Sequence, residues 1–277
     1  MARCMLVLAA ALVALSSATA AQPPAPSRYY LALGDSLAYG MQPDKVERGA
    51  PPAAFNTGYV DVFAAKLRGL NPRLEVVNYG CPGESTITFA NGGCPWLAEG
   101  RKLHDAFRGA QLAAALAFLK AHRGEVSPIT LTLAGNDIIP AFDTCSLKSF
   151  LSCVESRAPK AIASFSARFA SILRRLRSAA PSARIIVAGA WNFDFEHPQL
   201  TTPLWRPLNA VIRREAVAAN ARFADLMPLF NPPGSAAAQK ARLCAYSFIC
   251  SHDDPHPTNV GYRAIAAAMF AASGFKP

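Results

Sequence analysis

Five short apolar runs recur along the chain, at Tyr29 to Leu33, Leu74 to Tyr79, Ile129 to Ala134, Arg184 to Ala190 and, more weakly, Arg222 to Leu226. Segments with apolar residues at helical spacing fill the intervals: Tyr59 to Leu70, Ala110 to His122, Ile162 to Leu176 and Leu208 to Ala219, with a last helix expected over Thr258 to Ala272. Short apolar runs between turn residues read as strands buried on both faces, and strand–helix–strand repetition argues for a parallel sheet covered by helices on each side. In the third helical segment Ile162, Phe165, Phe169, Ile172, Leu173 and Leu176 form one apolar stripe, which is a core face. About five strands fit one α/β domain, and no internal repeat or long linker marks a second. In a doubly wound sheet the functional loops sit at the C-terminal ends of the strands.

The remaining composition fits this reading. With 277 residues, 52% hydrophobic and 17% charged, the chain buries a substantial core and is no disordered sequence. Its first twenty residues follow a different logic, with Arg3, an apolar run from Met5 to Leu15 too short to span a bilayer, and the small-residue signal Ala18-Thr19-Ala20. Residues 1 to 20 are read as a secretory signal peptide and 21 to 277 as the mature domain, secreted or periplasmic with no stable membrane anchor. Cys4 precedes the apolar run, so nothing suggests a lipid-anchored cysteine.

Processing would leave six cysteines in three close pairs. Of the 15 possible connectivities, the sequential one, Cys81-Cys94, Cys145-Cys153 and Cys244-Cys250, closes only short local loops and suits an oxidising compartment. No CxxC occurs and the spacings are unlike those of zinc ligands, so no metal is expected. The net charge of +10 owes much to Arg168, Arg174, Arg175 and Arg177, expected on a solvated helix face. Without aromatic interleaving or a nucleic-acid motif, no nucleic-acid partner is expected, and a monomer is.

The first three runs each end in a polar or glycine cluster: Gly34-Asp35-Ser36, Asn78-Tyr79-Gly80 and Gly135-Asn136-Asp137. A parallel sheet brings such ends to one edge. A fourth cluster, SHDDPHPTNVGY from Ser251 to Tyr262, precedes the last helix. Together they hold the parts of acyl transfer, namely a hydroxyl nucleophile, a base, a carboxylate to orient it and donors for an oxyanion. Ser36 is the candidate nucleophile and His256 the base. Asp253, three residues earlier, is the expected orienting acid, with Asp254 its competitor and His252 the competitor of His256. The amides of Ser36 and Gly80 and the side chain of Asn136 are the candidate oxyanion donors. Asp35 and Asp137 read as supports of the serine turn and the Asn136 loop.

The four clusters resemble the SGNH hydrolases, or GDSL family of esterases and lipases, whose four blocks supply serine, glycine, asparagine and histidine in this order. GDSLAYG carries the serine to Ser36, NYGCPGEST the glycine to Gly80, AGND the asparagine to Asn136, and DDPHP the Asp–His pair to Asp253 and His256. One departure is Ala134, where many members carry glycine. The resemblance implies a flavodoxin-like three-layer α/β/α fold, no cofactor, and hydrolysis of small-molecule, lipid or glycan esters through an acyl-enzyme at Ser36. Secreted members with three local disulfides are the nearest likeness. An acyltransferase on the same scaffold, or a non-catalytic ester- or glycan-binding protein, are the alternatives, and no GxSxG elbow supports an α/β-hydrolase. The irregular stretches 81 to 101, 138 to 158 and 192 to 206 are expected to rim the pocket, with Trp96, Phe142, Trp191, Phe193, Phe195 and Trp205 as lining or packing residues. His104, His122 and His197 read as surface or loop histidines, with His197 also a pocket candidate.

Overall fold

The computed structural model describes residues 25–276 apart from positions 143, 195 and 197. The signal-peptide reading and the expectations for Phe195 and His197 therefore lie outside the described residues. Every expected strand is present: β1 Tyr29–Gly34, β2 Glu75–Asn78, β3 Val126–Thr132, β4 Ile185–Ala188 and β5 Arg222–Ala224. They pair in parallel in the order β2-β1-β3-β4-β5. The order reverses direction between β1 and β3, so the crevice at their C-terminal ends is the topological switch point of a doubly wound sheet.

Strand alternation divides the core into two layers. Leu31, Leu33, Ile129, Leu131, Ile185 and Val187 point to one face, where they meet helices Gln111–Ala121, Phe150–Ala179 and Pro198–Ala218. Tyr30, Ala32, Ile186 and Ala188 point to the other, against helices Tyr59–Arg68 and Asn259–Ser273. Period-two burial with both sides apolar accounts for the continuous hydrophobic runs in the sequence. Phe165, Phe169, Ile172, Leu173 and Leu176 of the expected stripe are all buried.

All three stretches expected to be irregular are partly helical, the first holding the short helices Thr86–Asn91 and Pro95–Ala98. The long helix starts at Phe150 and runs through Pro159, and the next starts at Pro198. Pro159 removes only its own donor, toward the Glu155 carbonyl, on an exposed part of the helix where solvent can substitute. Val154 is buried and the Cys145–Cys153 disulfide ties down the first turn, so tertiary contacts hold the segment that proline would be expected to end. All three sequential disulfides form, Cys81–Cys94, Cys145–Cys153 and Cys244–Cys250. Among the described residues no helix is long and apolar enough to cross a membrane.

The basic cluster is not uniformly solvated. Arg174 and Arg175 are exposed. Arg177, however, donates to the carbonyls of Ala180, Ala183, Ala219 and Asn220, clamping two chain turns, and Arg168 reaches inward to the sheet edge. Long side chains of this kind carry their charge to carbonyls that helix ends leave unpaired.

Candidate active site

Strand β1 ends against β3, and the backbone there is tight. Gly34 has φ +122°, and a Cβ on it would lie 2.0 Å from the Thr132 carbonyl oxygen, so only glycine fits the turn. Gln111 holds both polar groups of Gly34, accepting from its N–H at 2.7 Å and donating to its carbonyl at 3.0 Å. Asp35 then caps the short helix Ser36–Tyr39, its Oδ1 accepting from the Leu37 amide at 3.0 Å and the Thr132 hydroxyl at 2.9 Å. Burial pushes the Asp35 carboxyl up to about 6, opposed by those two hydrogen bonds and by His256. Asp35 is thus the support it was expected to be, and Ser36 stands at the first position of the helix.

His256 arrives from the far end of the sequence on a well-anchored loop. The Thr258 hydroxyl caps helix Asn259–Ser273, the Thr258 amide donates to Tyr246 at 2.9 Å, and the Phe248 amide donates to the His256 carbonyl at 2.9 Å. The Cys244–Cys250 disulfide closes the same region. So held, His256 Nε2 lies 2.7 Å from Ser36 Oγ, while Nδ1 lies 2.6 Å from Asp254 Oδ1. An ionised carboxylate only accepts, so Nδ1 carries the proton and Nε2 is left to accept from the serine hydroxyl.

The partner of His256 is therefore Asp254 and not the expected Asp253. With Pro255 between them, the Asp254 side chain folds forward so that the same Oδ1 also accepts the His256 backbone N–H at 2.8 Å. Asp253 takes a left-handed conformation, φ +51°, and is exposed. Burial opposes the charge on Asp254, but the hydrogen bonds and positive field of His256 outweigh it and hold its pKa below the usual value. His252 is exposed and bonds to the neighbouring Ser251 hydroxyl, away from the serine.

The oxyanion donors also need revision at one position. Asn136, on the turn after β3, lines the same cleft as Ser36 and His256. One N–H of its side chain donates to the Glu84 carbonyl at 3.0 Å, leaving the second. The Gly80 amide is instead occupied by the Asn78 side-chain oxygen at 2.9 Å. A Cβ on Gly80 would lie 2.5 Å from the Tyr39 nitrogen, so this glycine is a packing requirement beneath the serine helix. In the loop that follows, the amides of Cys81, Glu84, Ser85 and Thr86 bond to Gly34, Cys81, Thr88 and Asp137 respectively, and Pro82 has none. Among the described residues this leaves Gly83, exposed and at φ +82°, as the loop amide with no internal acceptor. It adjoins Glu84, whose carbonyl binds Asn136. The Ser36 amide, at the first turn of its helix, likewise has no internal acceptor.

A second network ties these pieces together. The Asp137 side chain is fully buried. It accepts from the Thr86 amide at 2.8 Å and from the Thr86 hydroxyl, while Arg168 donates to Thr86 Oγ1 at 2.7 Å and to Asp137 at 3.1 Å. The loop bearing Glu84 and the turn bearing Asn136 are thereby locked to the long helix. Sequence reasoning missed Arg168 because its partner lies 31 residues away.

The cleft has a volume of about 130 Å³ and apolar walls, with Trp191, Phe193 and Trp205 among its lining residues. Trp96 packs against Tyr39 at 5.5 Å and Phe142 lies outside the cleft, so these two are not lining residues of it. His104 bonds to the Tyr39 carbonyl at 2.9 Å and is structural.

The fold recurs in solved structures of low sequence similarity. The lipase Lip_vut3 from a goat rumen metagenome superposes with a TM-score of 0.61 at 19% identity, over 89% of this chain and 97% of that one. An extracellular lipase from Streptomyces rimosus gives 0.59 at 18%, covering 88% and 99%. The acetylxylan esterase Axe2 from Geobacillus stearothermophilus gives 0.56 at 16%, covering 92% and 98%. No curated protein sequence matches the chain. The sequence model of the GDSL-like Lipase/Acylhydrolase family matches residues 32–264, from the middle of β1 to the last helix and across all four motif clusters. The chain belongs to that family, whose members are carboxylic ester hydrolases.

Proposed function

We propose that the chain is an exported serine esterase that works through an acyl-enzyme at Ser36. The observation that carries this reading is the continuous relay from Ser36 Oγ through both ring nitrogens of His256 to Asp254 Oδ1. His256 Nε2 takes the hydroxyl proton as Oγ bonds to the ester carbonyl carbon, and the carbonyl π electrons move onto oxygen. The oxyanion is met by the Ser36 amide, the free N–H of Asn136 and the Gly83 amide, the donors that this site leaves without internal partners. His256 then returns its proton to the departing alcohol oxygen as the tetrahedral intermediate collapses to the acyl-enzyme. A water, deprotonated by the same nitrogen, attacks the acyl carbon and restores the serine. Asp254 stabilises the imidazolium formed in each half-reaction and keeps its proton on Nδ1.

Export is supported by the leader-like residues 1 to 20 and by three disulfides, which persist in oxidising compartments. The test is active-site labelling of the disulfide-bonded protein with a fluorophosphonate. A single adduct at Ser36, absent from Ser36→Ala along with ester turnover, is expected. An adduct that persists in Ser36→Ala places the nucleophile elsewhere and sinks the proposal.

A further inference from the structure

Beside the cleft lies a second, partly open pocket of about 230 Å³, and the two share Ile139, Phe193 and Trp205 as a common wall. Its other side is built from Val154, Ala158 and Ile162 of the long helix, Leu208 of the next helix, and Phe142. Three polar residues, Asn192, Asp194 and Thr201, also border it. They are engaged locally: Asn192 donates to the Thr201 hydroxyl at 2.7 Å and accepts from the Asp194 amide at 3.0 Å. The space therefore favours hydrocarbon over water, because a buried water needs two or more polar partners. Ligand sites are concave and mostly apolar, and an apolar recess of this size beside a nucleophile suits a hydrocarbon chain.

Resting on the esterase reading, we infer that this cavity is the distal acyl site, and that the substrates are esters of medium-chain fatty acids. At roughly 30 Å³ for each water-sized group, the cleft takes about four such groups and the second cavity about seven more. With the ester atoms themselves in the cleft, an acyl chain of about eight to ten carbons fills both. The passage runs past Phe193 and Trp205, an edge-to-face pair with centroids 5.2 Å apart. Neither ring is fully buried, and Phe193 sits on the loop after β4, where rotation of its side chain opens the wall. Ala158 has the smallest side chain on the far side and sets the depth.

The experiment is a kcat/KM series on the disulfide-bonded protein with p-nitrophenyl acetate, butyrate, octanoate and palmitate. Each methylene transferred into an apolar site is worth about fourfold, so octanoate should exceed acetate by at least about tenfold and palmitate should fall away. Filling the space with Ala158→Phe, or independently Val154→Phe, should lower the octanoate-to-acetate ratio by about tenfold or more. A wild-type ratio at or below one overturns the inference without recourse to any variant, as does a ratio unchanged in filled variants whose thermal melts are native-like. Labelling by a fluorophosphonate separates the two readings. If Ser36 is labelled but acetate is preferred, only the acyl cavity fails. If Ser36 is unlabelled and no ester turns over, the esterase reading fails with it.

Discussion

Replacing Asp254 by asparagine tests the relay at its least obvious member. Asp254 Oδ1 accepts both the Nδ1–H and the backbone N–H of His256, at 2.6 and 2.8 Å. Asparagine can offer its own Oδ1 to both donors, so the ring orientation and tautomer survive while the negative charge is lost. What disappears is the attraction between that charge and the imidazolium in the transition state. At an effective dielectric of about 20 and a separation near 4 Å this is about 4 kcal/mol, or roughly 10²–10³ in kcat/KM at 1.4 kcal/mol per decade. Both side chains are about one-fifth exposed, 19% for His256 and 22% for Asp254, so partial screening favours the lower end. Asp254→Ala also leaves two donors unpaired and should cost more. Asp253→Asn alters only an exposed residue and should stay within about twofold. The assay is steady-state hydrolysis of p-nitrophenyl butyrate, with the rate of fluorophosphonate labelling as a second readout. A larger loss in Asp253→Asn than in Asp254→Asn would refute the assignment. The pH dependence of stability supplies a further check. Because the folded-state pKa of Asp254 is depressed, its contribution is present above the unfolded value near 3.8 and is lost as pH falls through the folded value. Asp254→Asn should therefore lower the melting temperature at neutral pH and lose that effect in strong acid.

Glu84 should show the opposite sign. Burial raises its pKa from 4.5 to about 7, against hydrogen bonds from Thr88 and Gln111. The folded state then holds a proton that the unfolded state releases, so stability is highest below about pH 4.5 and declines by about 3 kcal/mol as pH rises to about 7. Glu84→Gln should flatten the melting-temperature profile across that window, leaving a smaller slope of the same sign from Asp35; an unchanged slope would show that another group is responsible. Arg168→Met leaves the buried Asp137 carboxylate without its cation and loosens both the Asn136 turn and the Glu84 loop. It should lower kcat by about tenfold or more with little change in KM, since donors that act in the transition state are displaced, and equal loss in both parameters would argue for general misfolding. The Cys81–Cys94 disulfide, spanning 13 residues, should contribute about 3 kcal/mol in the chain-entropy model, read as a drop in the denaturant midpoint of the double serine variant.

The parts of this molecule legible in the sequence are those governed by local pattern. Buried parallel strands need apolar residues on both faces, so Leu31 and Leu33 for one layer and Tyr30 and Ala32 for the other sit in one continuous run that announces itself. The parallel topology then brings Ser36 and Asn136 to one sheet edge, whichever residues follow. Helix extents were harder, because Pro159 in one helix and Pro203 and Pro207 in the next signal interruption locally, whereas burial of Val154 and a disulfide hold the start of the first at long range.

Assignments within the site failed where function depends on which hydrogen-bonding groups remain unspent. Counting back three residues from His256 selects Asp253, but a carboxylate two residues back can also take the histidine's own amide, and that second bond fixes Asp254 in place. Gly80 and Gly83 look alike as letters in NYGCPGEST, and the difference between them lies in Asn78, whose side-chain oxygen returns two residues along to consume the Gly80 amide. The same accounting explains Arg168: its guanidinium is required because Asp137 is buried and must be neutralised, and Asp137 is buried because it holds the loop that orients Asn136. A motif therefore marks which loops meet, while the reactive groups are those that the surrounding hydrogen bonds leave unsatisfied.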